Sequence, residues 1–163
     1  MTADPSFSDI LHASSQAWCK KKCDEGVLSI ALPIAMEDPL EALRCIDEQN
    51  QFRFLWDEKP LQSFAALGLC QQLELAGPKR FELAQRFSEA TFGRMTNATI
   101  ETQAIDRPKI LLAFSFFEQA LDRQDTQTIT PAVQAVLPKW QISQQGSRAW
   151  LRLNGIMAHQ ADA

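Results

Sequence analysis

The sequence predicts an α+β fold: a mixed, mostly antiparallel sheet carrying two main helices. Three observations lead there. Short apolar or alternating runs bounded by turn residues recur along the chain. Two helix starts are each marked by a proline, at Asp38-Pro39 and at Gly77-Pro78. Two extended segments near the C-terminus flank Gln144-Gln145-Gly146, a hairpin signal.

In order, residues 1–26 are polar and of mixed charge, and read as a flexible N-terminal arm with one helical turn around Ile10 to Trp18. Val27 to Leu32 is a β-branched apolar run that reads as a strand ended by Pro33. Asp38 is placed to cap a helix with Pro39 at its first position, where no N–H is needed. Leu40, Leu43 and Ile46 then recur at helical spacing, with an end near Gln49-Asn50. Phe52 to Trp56 alternates as a strand, and Asp57-Glu58-Lys59-Pro60 reads as the following turn. Ser63 to Ala76 is a longer strand. Gly68 marks a bulge or close backbone approach in it, and Gln72 and Glu74 form its wet face.

The second helix opens at Gly77-Pro78. Phe81, Ala84 and Phe87 are expected on its buried face, and Arg80, Glu82, Arg86 and Glu89 on its solvent side. Residues 93–109 and 118–131 read as polar connections. Ile110 to Phe117, apolar on both faces, reads as a central buried strand. Ala132 to Ser143 and Ser147 to Asn154 form the hairpin, with Pro138 requiring an edge or a break. Residues 155–163 read as a tail.

The chain has 163 residues, 45% of them hydrophobic, and a net charge of −4. This suits one domain, 27–154, with its own core. The acidic balance argues against a nucleic-acid partner, and Lys20-Lys21-Lys22 reads as a solvated charge cluster. No apolar run reaches the ~20 residues of a membrane helix, and no secretory leader is recognisable, so a cytoplasmic location is expected.

Chemistry-bearing motifs are sparse. Phosphate-binding glycine loops are absent, and His12 and His159 lie near opposite ends. Cys19 and Cys23 lack the second pair that a structural zinc site needs, and Cys45 and Cys70 sit in apolar contexts. Asp57-Glu58, Glu74 and Lys139 read as surface charges, and Trp56, Trp140 and Trp150 as sheet-packing aromatics. The residues therefore nominate no catalytic, cofactor-binding or metal-ligating position.

Seven blocks in one order add a resemblance. They are Leu28-Ser29-Ile30-Ala31-Leu32-Pro33, Asp38-Pro39-Leu40-Glu41-Ala42-Leu43, Phe54-Leu55-Trp56-Asp57, Ala65-Ala66-Leu67-Gly68, Gly77-Pro78-Lys79-Arg80-Phe81, Phe114-Ser115-Phe116-Phe117 and Leu137-Pro138-Lys139-Trp140. Together, over about residues 27 to 154, they resemble the N-terminal part of isochorismate synthases of the menaquinone and phylloquinone pathway. Those enzymes belong to the chorismate-utilising family, with anthranilate and salicylate synthases as relatives.

The resemblance implies about half of that family's α/β sandwich, serving as scaffold. In the family the catalytic half supplies a base lysine, an acid glutamate, carboxylates for Mg²⁺ and the groups that hold chorismate. No position here matches those motifs, so the resemblance implies a chain inactive alone, reaching chorismate through the missing half and binding no Mg²⁺ itself. A half-sandwich leaves an apolar face or sheet edge uncovered. Residues of 110–117 or 133–143 are thus expected to be exposed or to self-associate. The alternative is a stand-alone, non-catalytic binding or interaction module on the same scaffold.

Overall fold

The computed structural model describes residues 12, 15–16, 25–35, 38–45, 52–58, 62–99, 107–117, 121–122 and 129–158. Nine strands and two longer helices run in the order β1 (Glu25–Ile34), α1 (Pro39–Cys45), β2 (Arg53–Glu58), β3 (Gln62–Leu75), α2 (Arg80–Gly93), β4 (Met95–Thr99), β5 (Leu111–Phe114), β6 (Leu121–Asp122), β7 (Ile129–Thr130), β8 (Val133–Gln145) and β9 (Arg148–Ala158). Seven strands form one sheet in the order β2-β3-β8-β9-β1-β4, with β5 also paired to β8. All pairings are antiparallel except β1 with β4. This is the expected mixed, mostly antiparallel sheet with two helices.

The hairpin forms as predicted, with Gln145 opposite Arg148 and Gly146 at φ +58°. A left-handed conformation there costs glycine little. β9 continues past Asn154 to Ala158, because its later residues pair with β1 as far as Glu25. β1 likewise runs through Pro33, which lies opposite Trp150. Among the described residues β4 covers β1 only as far as Ala31, and Pro33 beyond that point is exposed, a position that tolerates a residue with no donor.

The capping reading of the first helix holds. Asp38 Oδ1 accepts the Leu40 N–H at 3.0 Å, Pro39 opens the helix, and Leu43 is buried. Its expected end lies outside the described residues.

The second helix buries Ala84 as expected but is otherwise rotated. Its buried stripe is Arg80, Ala84 and Thr91, while Phe81 and Leu83 are exposed. Ala84 and Thr91 are small enough for the helix to lie close to the sheet, and the bulky side chains flank the contact. Pro78 sits in the turn before the helix, where the Arg80 N–H reaches the Gly77 carbonyl at 3.3 Å.

Three further expectations change. Within residues 93–109 the chain forms β4, which the sequence hid because Met95-Thr96-Asn97-Ala98-Thr99 carries no apolar run; β1 supplies its pairing. Residues 118–131 contain the small β6–β7 pair. Ile110–Phe117 is not a central strand. Only Leu111–Phe114 is extended, paired among the described residues to β8 alone, and Leu112, Phe114, Phe116 and Phe117 are exposed, Phe116 by 93%. Its two-sided apolar pattern therefore leaves the predicted exposed surface. The 133–143 segment is the true central strand, and its apolar side chains Val133, Ala135, Val136, Leu137 and Ile142 are buried.

Gly68 has φ +67°, but the register slips two residues later, between Leu69 and Gln71, making Cys70 the extra residue. The slip exchanges faces. Phe64 and Ala66 share a face with Ser143 and Gln141, whereas past the bulge the odd residues Gln71, Leu73 and Leu75 lie on it. Burial raises the Cys70 thiol above its ordinary value of 9.0. The folded state thus holds this proton more tightly than the unfolded state. That contribution is complete below pH 9.0 and is lost as pH rises through the raised folded value. Cys70→Ser is expected to flatten the alkaline limb of stability against pH, checked by urea unfolding between neutral and alkaline buffers.

Candidate functional site

The sheet has two unlike faces. On the back, Ala65, Leu67 and Ile142 form an apolar cluster with Leu43 of α1, edged by Ile34, Trp140 and Leu151. On the front, β1, β8 and β9 bury Ser29, Gln141, Ser143, Arg152 and Asn154. Buried polar groups at such density require mutual hydrogen bonding, and the register provides it.

Ser29 and Asn154 are direct cross-strand partners, and Ala31 lies opposite Arg152. The Ser29 hydroxyl donates to Asn154 Oδ1 at 2.5 Å and accepts from Arg152 Nη1 at 2.6 Å. The same nitrogen donates to Asn97 Oδ1 of β4 at 2.8 Å. Arg152, only 2% exposed, is thus a fixed cation spanning three strands. The parallel placement of β4 is what delivers Asn97 to it.

The network also resolves the problem of Pro138. β8 is flanked by β5 only at Val133–Val136 and by β9 only at Trp140–Gln145. Pro138 occupies the gap between these flanks, so the local edge expected from the sequence exists, though it is buried. Asn154 Nδ2 donates to the Pro138 carbonyl at 2.8 Å and satisfies the acceptor that neither flanking strand reaches.

A second group fixes the segment before β5. Gln141 accepts the Lys109 N–H at 3.0 Å and donates to the Lys109 carbonyl at 3.1 Å, acting as a side-chain substitute for a strand. Lys109 Nζ reaches Ser143 Oγ at 3.3 Å and lies 5.0 Å from the centre of the Phe64 ring. The front face therefore combines two cationic side chains, an amide-rich network and an aromatic ring.

The residues singled out from sequence scatter around this face. Trp150 is buried and Trp140 packs on the back cluster, but Trp56 is 60% exposed and is no core residue. It lies on β2, whose far side faces no described strand. Asp57 and Glu58 belong to β2 and not to a turn, because they pair with Ser63 and Gln62; Asp57 accepts the Ser63 hydroxyl at 2.5 Å. Glu74 is exposed and accepts from Gln134 at 2.9 Å. His12 is exposed, while Cys19, Cys23, His159 and Lys20-Lys21-Lys22 lie outside the described residues.

Sequence reasoning missed Ser29, Asn97, Gln141, Arg152 and Asn154. A signal existed in Arg152-Leu153-Asn154, where polar residues alternate with apolar ones, but alternation alone reads as a wet strand face.

Among the described residues no three His, Cys, Asp or Glu side chains converge to hold a metal. Mg²⁺ demands oxygen ligands, chiefly carboxylates, and the front face offers amides, hydroxyls and cations. These residues do not fit that ion. No described helix is long and apolar enough to cross a membrane.

No curated protein matches the chain. The family described as chorismate binding enzyme matches residues 12–163, nearly the whole sequence. The chain belongs to the chorismate binding enzyme family.

Proposed function

We propose that this chain is the N-terminal, non-catalytic portion of a cytoplasmic isochorismate synthase, the isomerase that turns chorismate into isochorismate for menaquinone or phylloquinone synthesis. The observation that carries the reading is the family match over residues 12–163, joined to the seven ordered blocks that resemble the isochorismate branch. The reaction adds water at one ring carbon and expels hydroxide from another, which calls for an acid and a base on opposite sides of the ring. The described front face holds no such carboxylate–lysine pair. In this reading the acid, base and Mg²⁺ ligands come from a catalytic segment, and this chain supplies the sheet on which that segment rests.

The test is chorismate turnover with Mg²⁺, following isochorismate as product. No turnover is expected from the chain alone, and isochorismate is expected when it is joined to the catalytic segment of an isochorismate synthase. Turnover by the chain alone overturns the scaffold role, and a different product overturns the isochorismate assignment. The exposed aromatics at 112–117 favour a second reading, a non-catalytic interaction module. That reading is supported if no combination with a catalytic segment yields turnover.

A further inference from the structure

We propose that Asn154-Gly155 is a latent deamidation site, shut by the fold and opened when β9 parts from β1, so that unfolding of this chain becomes irreversible with time. The chain has three asparagines, Asn50, Asn97 and Asn154, and only Asn154 precedes a glycine. Asparagine converts when the following peptide nitrogen attacks its side-chain carbonyl carbon. A glycine there gives that nitrogen the least hindered approach and the widest choice of φ.

The step needs no reactant other than water. The Gly155 nitrogen gives up its proton and bonds to Asn154 Cγ, the Cγ–Nδ2 bond breaks, and ammonia leaves with the proton. Water then opens the cyclic imide at either carbonyl, leaving aspartate or isoaspartate at position 154. No electrons are exchanged with another group.

The fold closes this route at both reacting groups. Asn154 is 1% exposed, and both ends of its amide are engaged: Oδ1 accepts the Ser29 hydroxyl, and Nδ2 donates to the Pro138 carbonyl at 2.8 Å. The nucleophile is held as well. The Val27 N–H donates to the Arg94 carbonyl, so the backbone groups of Val27 face β4 and those of Leu28 face β9. Gly155 lies opposite Leu28, which places its N–H inside the β1–β9 ladder. The Gln145–Arg148 pair that closes the two-residue loop gives β9 the same phase. Attack therefore requires a ladder bond, two side-chain bonds and the extended backbone to be given up together.

The fold itself does not require this glycine. Gly155 has no left-handed φ, and a methyl group there would meet no atom within 4 Å. The products, by contrast, do not fit. The Pro138 carbonyl needs a donor, and an ionised aspartate offers only acceptors. Isoaspartate adds a carbon to the backbone, and the pairs that join Gly155–Ala158 to β1 lose their register. A chain that converts while open cannot close onto β1 as before, and reversible unfolding turns into loss.

Peptide mapping by mass spectrometry, with isoaspartate detected at position 154, tests the proposal on the full chain at mildly alkaline pH under reducing conditions. In guanidinium chloride Asn154 is expected to convert faster than Asn50 and Asn97. In native buffer its conversion should be at least about a hundredfold slower, set by the small open fraction. Gly155→Ala should slow conversion in guanidinium chloride by about tenfold, since its methyl group restricts φ and hinders the nitrogen. That comparison is made on unfolded chains and holds whether or not the variant folds. Parent chains kept unfolded for increasing times should refold in a yield that falls in step with conversion at position 154. Equal rates in native buffer and denaturant overturn the proposal. So does an Asn154 no faster than the other two asparagines, a Gly155→Ala rate equal to the parent's, or a refolding yield indifferent to conversion.

Discussion

Arg152→Ala is expected to lower the unfolding free energy by about 2–4 kcal/mol. The cost falls chiefly on Ser29, which is fully buried and loses the Nη1 donor at 2.6 Å. Asn97 lies at the surface and can take water in place of the guanidinium. A buried acceptor left without its donor costs about 1–3 kcal/mol, and the buried aliphatic stem adds the rest. Arg152→Met separates the two contributions, since it keeps much of the stem and removes only the donor. It should recover part of the loss. Arg152→Lys should not restore full stability, because a compact ammonium is costlier to desolvate than a guanidinium. Urea unfolding, read as a shift of midpoint at constant slope, makes the measurement. A change within about 0.5 kcal/mol, the range of ordinary surface substitutions, would show that the network does not support the sheet.

Leu67→Ala is expected to cost about 3–4 kcal/mol. Leu67 is 1% exposed on the back face, flanked in the sheet by Arg53 and Trp140, and shares its cluster with Leu43. Truncation removes apolar contacts and leaves a cavity that paired strands on both sides cannot close. Leu43 is the residue through which α1 joins that cluster, so the effect should be local before it is global. Hydrogen exchange should show α1 amides losing protection ahead of those in β8. Leu67→Met, which nearly conserves volume, should cost less than about 1.5 kcal/mol. Equal losses for both variants would mean that packing at this position is not limiting.

The local elements were legible where a single residue type carries an unambiguous backbone consequence. Asp38-Pro39 marked a helix start, Gly146 a hairpin turn, and Pro138 an interruption of pairing. Each is decided by dihedral limits or a missing N–H, which act within a few residues. The seven ordered blocks also pointed to the chorismate-utilising enzymes, and the family match agrees at that coarser level.

Faces and neighbours were less legible. The 110–117 run was expected at the centre because it is apolar on both sides, yet it lies at the edge. A two-sided apolar strand can be covered by its own chain or by another surface, and periodicity does not distinguish them. Helix α2 was expected to bury Phe81, Ala84 and Phe87, and of these only Ala84 is buried, together with Arg80 and Thr91.

By itself, then, the sequence determined the α+β class, the main helix starts, the hairpin and the family. Only the tertiary structure decided that β4 lies parallel to β1 and that a bulge at Cys70 exchanges the faces of β3. It also decided that Ser29, Asn97, Arg152 and Asn154 converge. Those outcomes depend on register between strands far apart in the chain. A slip of one residue inverts which side chains meet, and no local pattern along a single strand carries that information.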